Sequence, residues 1–151
     1  SPEEILRAVG TQYRVDKWQD QPTRVFVLIE KDALSVVFCP VCEEMDVPLF
    51  ACKGYASLSS LWQLGHDRLA KCLESGQEPI ILHFGDHDPS GLDMTRDIGA
   101  RLATFAGDDV QVKRLALNMD QVDAYNPPPN PAKTTDSRYI TYAETYGDES
   151  W

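Results

Sequence analysis

The sequence predicts an α/β fold, a mainly parallel four-stranded sheet flanked by helices, on three observations. Short runs rich in β-branched and aromatic residues alternate with stretches of helical periodicity, and such alternation builds right-handed crossovers and a doubly wound sheet. The runs are short, as buried parallel strands tend to be. Two of them end in carboxylates, Glu30 after Val25-Phe26-Val27-Leu28-Ile29, and Asp86 and Asp88 after Ile80-Ile81-Leu82-His83-Phe84-Gly85. The crevice outside the carboxyl ends of parallel strands is where such sheets bind ligands. With 151 residues, 42% of them hydrophobic, the chain is long enough for one domain with a full core.

Residues 1–24 read as a lead-in, the end of a preceding domain or a linker, and the first strand runs over 25–30. A helix over 32–45 follows it. The second strand, 47–52, leads to a helix over 57–74, where Leu58, Leu61, Leu64, Leu69 and Leu73 fall near helical spacing and Gly76 supplies the stop. The third strand, 79–85, leads to a helix over 89–105. Asp88 is placed to cap that helix and Pro89 to be its first residue, where a missing N–H costs nothing. Leu92, Ile98, Leu102 and Phe105 give it a buried stripe. The fourth strand covers 110–117 and completes a core unit over 25–117. Beyond it, residues 119–125 form one short helix, and Asn126-Pro127-Pro128-Pro129-Asn130-Pro131 is a stiff, extended connector that cannot enter a helix or a central strand. The rest of 118–151 is a polar tail with several tyrosines, read as exposed surface or as a flap over a substrate.

The formal net charge of −10 counts against a general nucleic-acid coat protein, whose affinity comes from Lys and Arg releasing counterions, so any contact with nucleic acid has to be local. Part of the acidic excess is accounted for if several acids share one metal site. The longest apolar runs stop at about six to eight residues and no cationic leader precedes one, so the chain reads as cytoplasmic, with no membrane partner. It starts at Ser1 without Met and stops at Trp151 within an ordered-looking stretch, which marks it as a piece of a longer polypeptide. Cys39 and Cys42 have CxxC spacing, but Cys52 and Cys72 supply no second pair of the kind a structural zinc site uses. Two small apolar side chains one helical turn apart are the plainer account.

Taken singly, each acid has an ordinary explanation: Asp88 as a helix cap, Asp86 as a turn residue, Glu30 as the partner of a base. Together they say more. Asp86 and Asp88, two apart on an extended segment, share a face, and Glu30 ends another strand. A strand order of 2-1-3-4 would bring all three to the topological switch point, and a small cluster of hard oxygen ligands suits Mg²⁺ or Mn²⁺.

A strand ending in Glu, then a later strand ending in Asp-x-Asp, resembles the Toprim domain shared by topoisomerases, bacterial primases and several nucleases. The likeness is nearer to the A subunit of type IIB topoisomerase (topoisomerase VI) and its meiotic double-strand-break relatives. There Glu30-Lys31-Asp32-Ala33, the Lys53-Gly54-Tyr55 turn and Asp86-x-Asp88-Pro89-x-Gly91 have counterparts at similar spacing. Phage and bacterial Toprim proteins are similar across the whole of His83-Phe84-Gly85-Asp86-His87-Asp88-Pro89-Ser90-Gly91. The resemblance covers residues 25–117. It implies a Rossmann-like Toprim fold and a Mg²⁺-dependent module for cleaving and rejoining DNA phosphodiesters. On that footing Asp86 and Asp88 bind Mg²⁺ (or Mn²⁺), and Glu30 is a further ligand or the acid/base that handles the proton of a sugar hydroxyl. Lys31, Lys53 and Arg96, with Lys133 and Arg138 from the tail, are candidates for phosphate contact by position. The implied partners are DNA, a tyrosine-bearing winged-helix domain in the full-length chain and an ATPase subunit. In the topoisomerase the attacking tyrosine belongs to that winged helix, which does not fit into residues 1–24. Either it lies outside this sequence, or a metal-bound water cuts, or the domain does not cut.

Other readings of the same acids stay open. A noncatalytic, metal-stabilised DNA-binding module needs the same cluster without turnover. A haloacid-dehalogenase-type phosphatase also uses Asp-x-Asp at a strand end, but after the first strand and running into Thr or Val, where this chain has a third strand and Pro89. A receiver-like signalling domain needs a Lys ending a fifth strand, and none is evident before the prolines.

Overall fold

The computed structural model describes residues 1–6, 16–52 and 58–151. The Lys53-Gly54-Tyr55 turn, with the Lys53 assignment and the expected helix start at residue 57, lies outside the described residues.

Strands β1 (Thr23–Ile29), β2 (Leu49–Ala51), β3 (Glu78–Phe84) and β4 (Gln111–Ala116) form one parallel sheet in the order β2-β1-β3-β4. The α/β class expected from the sequence is that of the structure, and its strand order is the 2-1-3-4 that places the first strand beside the third. The central pair is the longest, with β1 and β3 in register from Thr23↔Glu78 to Ile29↔Phe84. β2 is shorter than expected because Pro48 has no N–H to give the ladder; its carbonyl still accepts from Val27 N at 2.9 Å. The other strand ends shift by one or two residues.

Helix α1 (Ser35–Met45) is entered through a 3-10 turn, Asp32–Leu34, and holds Pro40 inside it. Leu58–Trp62, Gln63–Leu69 and Ala70–Glu74 run on as one helix, α2, whose middle stretch is π-helical. That stretch carries Gly65, where a Cβ would stand 2.5 Å from Phe105 Cβ. The glycine therefore lets α2 come close to α3 (Pro89–Ala106). Helix α4 (Met119–Tyr125) starts on a capping box between Asn118 and Gln121.

Side-chain alternation along the strands sorts the core onto two faces. Phe26, Leu28 and Ile81 meet Leu61, Leu64 and Leu69 of α2 and Met94, Ile98 and Leu102 of α3. Val27 and Ile29 point the other way, onto Cys42 and Phe38 of α1. The buried cysteines divide accordingly, Cys42 on the α1 face and Cys52 and Cys72 on the other, so the sheet stands between them and the thiols pack as small apolar groups. No helix among the described residues is long and apolar enough to cross a membrane.

The tail has more structure than its composition announced. Residues 139–146 form α5 (Tyr139–Tyr146), and the end of the proline connector, β5 (Asn130–Pro131), pairs antiparallel with β6 (Glu149–Ser150). Proline is tolerated there because the strand is an edge.

Candidate functional site

The strand order sets the carboxyl ends of β1 and β3 side by side, and the ladder continues one step beyond them: Glu30 N donates to Phe84 O at 3.0 Å. Glu30 is thereby laid against Gly85. A Cβ on Gly85 would sit 2.7 Å from Glu30 Oε2, so the missing side chain is what lets the carboxylate turn inward. Oε2 then accepts from Asp86 N at 3.0 Å. Asp86 Oδ2 receives Lys31 Nζ at 2.5 Å. Asp88 is the N-cap of α3, its Oδ1 accepting from Gly91 N at 2.6 Å and from Ser90 Oγ at 3.0 Å.

Each carboxylate thus has one oxygen engaged, while Glu30 Oε1, Asp86 Oδ1 and Asp88 Oδ2 have no hydrogen-bond partner among the described residues. Burial, opposed by the hydrogen bond from Asp86 N, pushes the Glu30 carboxyl above its ordinary range, and the charges of Asp86 and Asp88 push it further the same way. The donor set is all hard oxygen, as Mg²⁺ requires. The acids alone are not a closed shell: among the described residues no three His, Cys, Asp or Glu side chains are arranged to hold a metal ion.

Beneath the acids lies a residue that the sequence reading missed. Arg114, from β4, donates through Nη1 to Gly91 O (3.1 Å) and Thr95 Oγ1 (3.0 Å), and through Nη2 to Gly85 O (2.9 Å) and Asp86 O. One guanidinium fork therefore ties the end of β3 to the first turns of α3, and its charge faces Glu30, Asp88 and Asp86. A signal for it was present. Along β4, Gln111, Lys113 and Leu115 point outward while Val112, Arg114 and Ala116 point inward, and a cation on an inward position needs acidic or carbonyl partners.

Thr95 passes the network on to His83, whose Nδ1 lies 2.9 Å from Thr95 Oγ1. His83 is fully buried, and its Nε2 is the buried side-chain polar atom left without a partner among the described residues. Burial, with the Arg114 charge added, pushes His83 from 6.5 down to about 4. A base depressed in the folded state binds its proton more tightly when unfolded. The stability it supports is therefore present above about 6.5 and is lost as pH falls towards 4. In metal-free buffer this group should lower the unfolding free energy by up to about 1.4 kcal/mol per pH unit across that window. Denaturant melts of His83→Leu, which has nothing to protonate there, should lack that part of the slope. If the variant keeps the wild-type slope, the dependence belongs elsewhere, with His87, also depressed by burial, the first alternative.

The tail closes on the residue between the two aspartates. His87 N donates to Trp151 O at 2.5 Å and Trp151 N to His87 O at 2.9 Å, as in a short antiparallel bridge. The buried Tyr142 hydroxyl lies 2.9 Å from His87 Nδ1 and 3.1 Å from both His87 O and Glu149 O. Burial, then the Asp88 charge, pushes that phenol up to about 12.

The cations selected by position are mostly engaged. Lys31 sits on Asp86. Arg96 pairs with Asp93 at 2.8 Å, and Arg138 lies between Asp93 (2.8 Å) and Asp136 (3.3 Å). Lys133 is exposed on the tail.

No family model and no curated protein matches the chain. Among solved structures, a de novo designed Rossmann fold protein is similar over 70% of this chain and 100% of that one, at 12% identity and a TM-score of 0.38.

Proposed function

We propose that this chain is a Toprim-like module that acts on DNA phosphodiesters with Mg²⁺ or Mn²⁺, as part of a type IIB topoisomerase A-like or Toprim nuclease protein. The observation that carries the reading is the placement of Glu30, Asp86 and Asp88 at the ends of the neighbouring strands β1 and β3, each with one carboxylate oxygen that has no hydrogen-bond partner among the described residues. Asp86 and Asp88 would hold the metal, which when bound would draw charge from a phosphate lying across the crevice. Glu30, pushed above its ordinary range, is suited to exchange a proton with a sugar hydroxyl through its open Oε1. Arg114 keeps the Gly85 and Asp86 carbonyls in place and offsets part of the acids' mutual repulsion. Among the described residues the Tyr142 hydroxyl reaches His87 of this loop, but a buried phenol pushed up to about 12 is a poor nucleophile. Cleavage through a tyrosine would need one supplied from elsewhere, as the resemblance to the topoisomerase implies.

With Lys31, Arg96 and Arg138 already paired, few of the candidate cations among the described residues are left to bind phosphate directly. Binding of a labelled duplex should therefore require divalent metal. It should also weaken only modestly with salt, at a log–log slope of about −2 to −3 for two or three neutralised phosphates. Fluorescence anisotropy in Mg²⁺ and in EDTA, across a salt series, measures both. Tight binding in EDTA with a slope of about −6 or steeper would sink the metal-bridged model. Metal-dependent binding without turnover of supercoiled DNA would favour the noncatalytic module.

A further inference from the structure

A cleft lies at the start of α3, whose N-cap is Asp88. A cavity of about 400 Å³ opens between the start of α3 and the tail helix α5, with Pro89 and Asp93 on one wall and Thr141, Thr145, Tyr146 and Arg138 on the other. Pro89 directly follows Asp88, so the cavity begins where the acidic cluster ends. Its one cation is spoken for: Arg138 is held by Asp93 at 2.8 Å and by Asp136 at 3.3 Å, and Asp93 is shared with Arg96. A charge already flanked by two carboxylates offers little to a phosphate. What the walls offer instead is threonine hydroxyls, that of Thr145 donating to Thr141 O and left to accept, and the Tyr146 ring, 38% exposed.

That ring is held in place. Tyr146 meets His87 edge-on, with centroids 4.7 Å apart and planes at 90°, and Tyr142 at 5.0 Å. His87 lies between Asp86 and Asp88 and is fixed by Tyr142 and Trp151. The aromatic wall and the carboxylate loop are therefore one packed unit, and a ligand placed on Tyr146 has a fixed relation to the acids.

We infer that this cleft receives an unpaired nucleobase of the DNA strand whose phosphate lies over Glu30, Asp86 and Asp88. A flat, uncharged, hydrogen-bonding ring matches the neutralised, hydroxyl-lined, aromatic wall, and the volume accommodates a base with its sugar. Stacking on one aromatic side chain is tolerant of base identity, so the site favours single-stranded or frayed DNA over intact duplex without reading sequence. The inference rests on the proposed function, from which it takes the position of the strand.

The test compares two labelled single strands of equal length in Mg²⁺, oligothymidylate and a fully abasic analogue, which have the same phosphates and differ only in their bases. The wild-type protein should bind the oligothymidylate roughly 5- to 150-fold more tightly. Tyr146→Leu, which keeps bulk and removes the ring face, should erase most of that difference, and Tyr146→Phe should keep it. Melting temperatures of both variants check that α5 stays docked. Equal affinity of the wild-type protein for the two strands, a difference that survives Tyr146→Leu, or no measurable binding of either strand would overturn the inference. The metal reading fails separately: it falls if Asp86→Asn titrates with Mn²⁺ as the wild-type protein does, whatever Tyr146 contributes.

Discussion

Asp86→Asn and Glu30→Gln are each expected to lower Mg²⁺-dependent DNA processing by about 100-fold or more, the usual cost of removing a group that faces developing charge. In metal-free buffer both should leave the melting temperature unchanged or slightly raised. Magnitudes decide the second half of this expectation. The ion pair that Asp86 loses, with Lys31, is between side chains 57% and 40% exposed, and such pairs are worth about 0–1 kcal/mol. Against that, Asp86→Asn removes one of the two neighbouring charges that raise the Glu30 carboxyl, and Glu30→Gln removes the half-buried acid that those charges oppose. Gln at position 30 can still accept from Asp86 N. Asp88→Ala should behave differently, because it removes the α3 cap along with a ligand, at a cost of roughly 0.5–2 kcal/mol. Thermal melts in EDTA beside supercoiled-DNA assays in Mg²⁺ read both quantities. The assignment fails if Asp86→Asn or Glu30→Gln melts as early as a core truncation such as Leu102→Ala, for which about 2–5 kcal/mol is expected.

What was legible in the sequence is what local pattern encodes. Apolar runs of strand length, the Asp88-Pro89 helix start and the leucine spacing of 58–74 each depend on neighbours within a few residues, and each has its counterpart in β1–β4, α3 and α2. The order 2-1-3-4 was one of the few arrangements that right-handed crossovers leave open, but the strand patterns alone did not select it. Arg114 was not legible, because its partners are carbonyls of Gly85, Asp86 and Gly91, and only the β3–β4 register brings these within reach. The tail was missed for the same reason. Tyr142 and Trp151 look like residues of a polar, proline-led segment until the fold returns them to His87, over fifty residues back in sequence. The close approach at Gly65, within the π-helical stretch, is to Phe105, which no window along α2 contains.

Gly91→Ala is expected to damage the fold and the site together, although helix propensity alone argues the other way. Gly91 lies in the first turn of the 18-residue helix α3, where Ala is ordinarily better than Gly by about 1 kcal/mol. A Cβ there would fall 2.3 Å from Asp86 O and 3.1 Å from Asp88 Oδ1. The first is a backbone atom, so no side-chain rotation relieves the overlap. The same Asp86 carbonyl accepts from Arg114, and Gly91 N itself donates to the Asp88 cap at 2.6 Å. Relief therefore means moving the Asp86–Asp88 segment away from the helix, at a cost of about 1–3 kcal/mol or more, with loss of metal binding and of any cleavage. Gly99→Ala is the control in the same helix. Its Cβ would meet nothing nearer than Val112 Cγ2 at 3.6 Å, an ordinary contact, so propensity should prevail and the melting temperature should hold or rise. If Gly91→Ala melts at or above the wild-type temperature and still binds Mn²⁺, then the close approach of α3 to the Asp86 backbone is not what fixes the carboxylates in position.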